Sequence, residues 1–210
     1  MKIFSANLLD GGVIYEDSAK RFRTTLQNAV KKGVSLAGAD LSNEDLSGME
    51  FYKLDLSGAR LKGATLSGCA LVNVDLSGAN LQSATLSGVT IRDSKFINSD
   101  LSFTDITHIY ANDCDFSSAG FFMAKIRDSS VYISKFDQAN LQSSNLDNAA
   151  FVTSCFAGAD FRGCISSRST FFDGSIFTQA KIEWGSHSII SEILKREAGS
   201  DVNKLMAALS

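Results

Sequence analysis

Proline is absent from all 210 residues, histidine occurs twice and tryptophan once. A chain without proline keeps every backbone N–H available, which suits an unbroken hydrogen-bonded ladder. His108 and His187 stand in no metal-ligand spacing and in no nucleophile motif. Cys69, Cys114, Cys155 and Cys164 form no CxxC pair, so no zinc site is expected. No apolar run approaches the ~18 residues of a membrane span. Charge of one sign is also missing: 20 basic against 23 acidic residues give a formal −3, which argues against a polybasic nucleic-acid binder. The opening MKIFSANLLDGG lacks the charged-then-apolar layout of a secretory signal, so free thiols and a cytoplasmic setting are expected.

What the chain does have is a period of five. A large apolar residue recurs at 26 positions from Leu36 to Phe161, and only Ala111 departs from Leu, Ile, Val and Phe. Two residues before each sits a mostly small one, such as Ala39, Ala59, Ala79, Ala119 or Ala159, giving words such as EDLSG, LDLSG, ANLQS and ADFRG. Five fits neither the 3.6 of an α-helix nor the 2 of a strand. It fits a coil of extended sides with a turn at each corner. The large centre and the small residue two earlier face inward, and the flanking Asp, Asn, Ser and Thr face solvent. Gly, Ser and Asn after the centre suit turns, some of which need positive φ.

These words resemble the pentapeptide-repeat family, whose pattern is roughly [STAV][DN][LF][STR]G. The resemblance runs through 36–163 and less perfectly to about Ile182. It implies an all-β solenoid, a right-handed quadrilateral parallel β-helix with four words per coil and short helical caps at both ends. The expected organisation is an N-terminal cap over 1–35, the repeat over 36–184 and a C-terminal helical segment over 185–210. Twenty residues per coil place Leu36, Leu56, Leu76, Phe96, Phe116, Phe136 and Phe156 in one inner column, Leu-rich early and Phe-rich late. After Phe161 the rhythm slips by one, with Phe172, Phe177 and Ile182 displaced, which predicts a distorted corner within 164–170. Ala111 has Ile109 in the position that is normally small, so Ile109 is expected to fill the space Ala111 leaves.

At the ends, 17–32 read as an amphipathic helix stopped by Gly33, preceded by a hairpin across Gly11 and Gly12. Beyond the repeat, Ile189, Ile190, Ile193 and Leu194 form one apolar stripe, and Val202, Leu205, Met206 and Leu209 form a second. The last coil can scarcely cover both, so a homodimer joined through 187–209 is expected.

Catalysis has little to stand on. The carboxylates belong to outward ladders, no Walker-type lysine follows the Gly-rich turns, and neither enzyme activity nor a cofactor or metal is expected. The family's best-known activity is binding DNA gyrase as a rod resembling duplex DNA. The unbroken run 36–163 likens this chain to the loopless relatives of the Qnr-type members. Residues 36–184 hold 11 basic and 17 acidic residues, a net −6. Duplex DNA would carry roughly 20 charges over the ~35 Å expected for the rod. The acids crowd the first coils, at Asp40, Glu44, Asp45, Glu50, Asp55 and Asp75, which would make one end locally DNA-like. Outward positions that should be polar carry Phe103, Phe122 and Met123 on one side, and Tyr110, Tyr132 and Ile133 two sides away. The functional expectation is therefore a non-catalytic interaction protein with a protein partner, DNA gyrase being the named candidate, and with no direct nucleic-acid or membrane contact. The alternative is a structural protein assembling into a homo-oligomeric rod.

Overall fold

The side chains in each word alternate as an extended chain requires. Leu76, Leu81, Leu86 and Ile91 are buried at word centres, with Ala79, Ala84 and Val89 buried two residues before the next centre. Most words end in a turn closed by a hydrogen bond back to the centre, as from the Ala79 N–H to Leu76 O at 3.0 Å. The residue two after the centre takes positive φ, +66° at Gly78, as a type II turn demands. The computed structural model describes residues 1–5, 12–167 and 169–182.

Successive coils stack in parallel at a twenty-residue offset. On one side the words form the strands β3 (Glu50–Tyr52), β4 (Ala70–Val72), β5 (Thr90–Arg92), β6 (Tyr110–Asn112), β7 (Ser130–Tyr132) and β8 (Ala150–Val152). They make a six-stranded parallel sheet in chain order. Its inner column runs Phe51, Leu71, Ile91, Ala111, Val131, Phe151 in register. The other three words of each coil are joined by single parallel bridges, such as Asp40↔Arg60↔Asn80, Asp45↔Thr65↔Thr85 and Asp55↔Asp75↔Lys95. The protein is a parallel β-solenoid.

Offsets of twenty hold through Asn145↔Ile165, and from Ala150↔Phe171 onward they are twenty-one. The extra residue therefore enters between Ile165 and Phe171, inside the segment where the sequence rhythm slips. There the Ser167 N–H donates to Thr170 Oγ1, and the Thr170 N–H returns to Ser167 O. The phenylalanines of the later coils stack, with centroids 4.8 Å apart for Phe96–Phe116, 4.9 Å for Phe116–Phe136 and Phe136–Phe156, and 5.1 Å for Phe156–Phe177. Offset stacking of this kind adds to the burial of the rings themselves.

Ala111 and Ile109 are both buried. An apolar cavity of only about 10 Å³ remains at this level, and Ile109 is part of its lining with Ile91, Val131 and Phe116. The space at the Ala111 centre is thus filled from the neighbouring position.

One feature was not expected. Where the chain leaves β4, β6, β7 and β8, the turn bond is replaced by a column of buried side chains inside the coil. The Val74 N–H donates to Ser94 Oγ at 3.0 Å, Cys114 N–H to Ser134 Oγ at 3.2 Å, Ser134 N–H to Ser154 Oγ at 3.3 Å and Ser154 N–H to Ser175 Oγ at 3.1 Å. Each hydroxyl gives a buried N–H the partner it would otherwise lack.

At the N-terminal end, β1 (Lys2–Phe4) and β2 (Val13–Glu16) pair antiparallel, followed by α1 (Phe22–Lys31). Leu26, Ala29 and Ile3 are fully buried in the same core as the coils. Asp17 anchors the helix by accepting from Thr25 Oγ1 at 2.7 Å and Asn28 Nδ2 at 2.8 Å. These two donors hold its carboxyl below the usual carboxylate range. Gly33, at φ +66°, ends the helix with its N–H on Val30 O and the Val34 N–H on Ala29 O. The C-terminal helical segment expected over 185–210 lies outside the described residues.

Candidate functional site

The aspartates and asparagines that precede the word centres have a local task. Asp40, Asp45, Asp55 and Asp75 each accept the backbone N–H two residues on, from Ser42, Ser47, Ser57 and Ser77, at 2.9 to 3.1 Å. Asn80, Asp100, Asp115, Asn140 and Asn145 do the same. These are Asx turns, and they explain why the word reads [DN]-L-S: a short side-chain oxygen closes the corner. The serine hydroxyls of Ser47 and Ser57 reinforce the same carboxylates, whose pKa values lie below the usual range because of those bonds.

Among the acidic residues expected to form a DNA-like end, Asp40, Asp45, Glu50 and Asp55 stand one on each side of the first coil, in four different ladders. They ring that end of the coil. Two of the ladders also mix the two signs. One runs Asp55, Asp75, Lys95, Asp115, Lys135, and another begins Asp40, Arg60, Asn80, Asp100. Glu44 is partly buried, and desolvation helped by Asp40 raises its pKa.

The apolar outward residues do come together. The Phe103 and Phe122 rings meet edge to face at 5.6 Å between centroids. The Phe103 N–H donates to Phe122 O, so Phe122 and Met123 lie one coil on, with Met123 beneath Phe103 in the same turn column. Phe103 is 53% and Met123 50% exposed. Both hold left-handed backbone, φ +61° and +55°, at turn positions filled by Gly58, Gly78 or Asn43 elsewhere. The second group assembles too: Tyr110 and Tyr132 lie 5.6 Å apart, Arg92 covers Tyr110 at 5.6 Å, and Ile133 is 59% exposed at φ +51°.

The groups with nucleophilic potential are placed for packing. Burial pushes the Cys114 and Cys164 thiols up to about 11, and it raises Cys69 and Cys155 as well. None is a ready thiolate at neutral pH. His108 sits in an outward turn at φ +59°, while His187 and the stripes Ile189, Ile190, Ile193, Leu194 and Val202, Leu205, Met206, Leu209 lie outside the described residues. Among the described residues no three of His, Cys, Asp and Glu gather as a metal would require, and no helix is long and apolar enough to cross a membrane.

A sequence model of the family described as pentapeptide repeats matches eight copies, over residues 32–68, 59–96 and 134–165. The chain carries repeats of the pentapeptide-repeat family. No curated protein matches it. Among solved structures, a trypsin-treated variant of QnrB1, a plasmid-mediated fluoroquinolone resistance protein, is 20% identical with TM-score 0.44, covering 74% of this chain and 91% of that one. A pentapeptide-repeat protein of the Arabidopsis thaliana thylakoid lumen is 20% identical, TM-score 0.32, covering 50% and 66%. HetL of Nostoc sp. PCC 7120, involved in heterocyst differentiation regulation, is 22% identical, TM-score 0.25, covering 68% and 69%. Both aromatic groups were legible in the sequence, whereas the turn-closing role of the aspartates was not. The Asp-x-Ser spacing was the signal for the turns. The run Ser134, Ser154 with Ser94 twenty residues before Cys114 was the signal for the buried column.

Proposed function

We propose that this pentapeptide-repeat protein is a non-catalytic rod that docks on a protein partner through the patch of Phe103, Phe122 and Met123. The observation that carries the reading is the placement of two large apolar side chains in exposed left-handed turns. That backbone costs an L-residue roughly 1–2 kcal/mol, and most other turns of the coil meet it with Gly or a short polar residue. Half-exposed Phe103 and Met123 recover little of this by burial. Exposed apolar clusters on a polar surface mark interaction sites, and aromatic anchors dominate protein interfaces.

DNA gyrase is the partner proposed first, on the family resemblance. The charge pattern favours docking through apolar contact over imitation of the duplex. The first-coil acids encircle the rod, several are engaged in turns, and Lys95 and Lys135 interrupt the ladder that begins at Asp55. A supercoiling assay with purified gyrase and full-length protein tests this. Altered supercoiling that disappears in Phe103→Asn/Met123→Gly supports the reading, and identical traces with and without the protein contradict the gyrase assignment. The homodimer through 187–209 remains a separate proposal. Light scattering at tens of micromolar tests it, a monomer being the contrary result.

A further inference from the structure

The first coil of a stacked sheet has no coil before it, and its edge must be closed or left open. Here the N-terminal segment closes part of it. The Asp40 N–H donates to Phe4 O at 2.9 Å, and Ser5 bridges Ala39 antiparallel. The Arg23 guanidinium donates to Asp45 O at 2.9 Å and Ser47 O at 2.5 Å. The side formed by β3 differs. In the strands stacked on it, the residue at the Glu50 position donates back to the preceding coil, as Ala70 N–H does to Met49 O and Thr90 N–H to Cys69 O. The residue at the Tyr52 position accepts from it, as Val72 O does from the Lys53 N–H and Arg92 O from the Asn73 N–H. The Glu50 N–H and Tyr52 carbonyl find no partner among the described residues. By the alternation of the ladder, the Glu50 carbonyl and the Tyr52 N–H point the same way.

Beside this edge lies an open groove of about 430 Å³, between α1 and β3, lined by Gln27, Val30, Lys31, Met49, Glu50 and Tyr52. That volume is within the range of ligand clefts. Its chemistry is specific. Two backbone donors and two acceptors alternating along three extended residues are complemented by another extended backbone, the mode of strand addition.

We propose that the β3 edge receives an extended peptide of a partner protein, added antiparallel as a further strand. The antiparallel sense follows the way Phe4 and Ser5 already meet another side of the same coil at Ala39 and Asp40. Side-chain alternation fixes the preferred tripeptide. A residue opposite Phe51 faces Val30 and Met49 and is apolar, the residue opposite Tyr52 is aromatic or β-branched, and the one opposite Glu50 is basic. Read from its N-terminus, the peptide is aromatic or β-branched, then apolar, then basic. The site is separate from the Phe103 patch, so the two proposals stand or fall independently.

Amide hydrogen exchange of the full chain by NMR, with and without the peptide acetyl-Gly-Ser-Tyr-Val-Arg-Ser-Gly-amide at millimolar concentration, tests the proposal. Exchange at Glu50 and Tyr52 should slow at least about tenfold when the peptide saturates. N-methylating the peptide's arginine amide, which faces β3, should abolish the effect. N-methylating its valine amide, which faces away, should leave it. Glu50→Lys should reverse the preference, favouring the peptide with Glu in place of Arg. Glu50 and Tyr52 amides already protected in the free chain, no slowing with peptide, or equal loss from both N-methyl peptides would each overturn it.

Discussion

Replacing Ile109 by alanine tests how the core accommodates its one small centre. Ile109 is buried, lines the residual cavity of about 10 Å³, and stands beside fully buried Ala111. The substitution removes three carbons, about 2.4 kcal/mol of transfer free energy at ~0.8 kcal/mol each. A residual void of roughly 50 Å³ would add about 1.2 kcal/mol at ~24 cal/mol per Å³. The expected loss is therefore about 3.5 kcal/mol. The Ile109 N–H keeps its bond to Ser129 Oγ in the variant, so the change isolates packing. Ala111→Ile alone should overpack the same space at roughly 1–3 kcal/mol, and it should restore stability in the Ile109→Ala background. Equilibrium denaturant unfolding of the four proteins gives the coupling energy. A loss below about 1 kcal/mol for Ile109→Ala, or additive effects in the pair, would refute the exchange of volume between the two positions.

Ser134→Ala should cost about 1–3 kcal/mol in the same measurement, because the buried Cys114 N–H loses its acceptor; half-buried Ser57→Ala, in an Asx turn that keeps its backbone bond, should cost well under 1 kcal/mol. Asp160, held down to about 2 by Arg162 and also bonded by Gln142, contributes stability that is complete above the unfolded aspartate value near ~3.9 and is lost as pH falls toward 2. The stability difference between wild type and Asp160→Asn should therefore shrink between about pH 4 and pH 2, and a gap that widens on acidification would contradict it. Phe103→Asn/Met123→Gly should leave thermal stability unchanged or raise it, since both replacements suit left-handed backbone; a drop of several degrees would mean that the patch supports the fold.

The solenoid was legible because one constraint repeats. A period of five with a large centre and a small residue two before it leaves only one way to bury both, and burial at Leu76, Ala79 and Leu81 follows it directly. The slip after Phe161 and the swap at Ile109 were readable as breaks in that same rhythm. The buried serine column was not, because a serine two before a centre looks like any other small residue. Its meaning depends on which side of the coil lacks a turn bond, and that is decided by the stacking of β3–β8 and not by the word itself. The directions in which the acids face were not legible for a related reason. Adjacent in sequence from Asp40 to Asp55, they are separated by corners, so each faces a different direction. The open edge at β3 likewise depends on how far the N-terminal segment reaches around the first coil.

The most direct test of the docking reading is a photocrosslink from the patch itself. Benzoylphenylalanine at position 103 of the full-length protein, irradiated with purified gyrase, should give a discrete adduct. The same probe at exposed Asn73, just after β4 and on the side of the coil opposite the patch, should give none. Adducts of equal yield from both positions, or none from position 103, would contradict docking of this patch on gyrase.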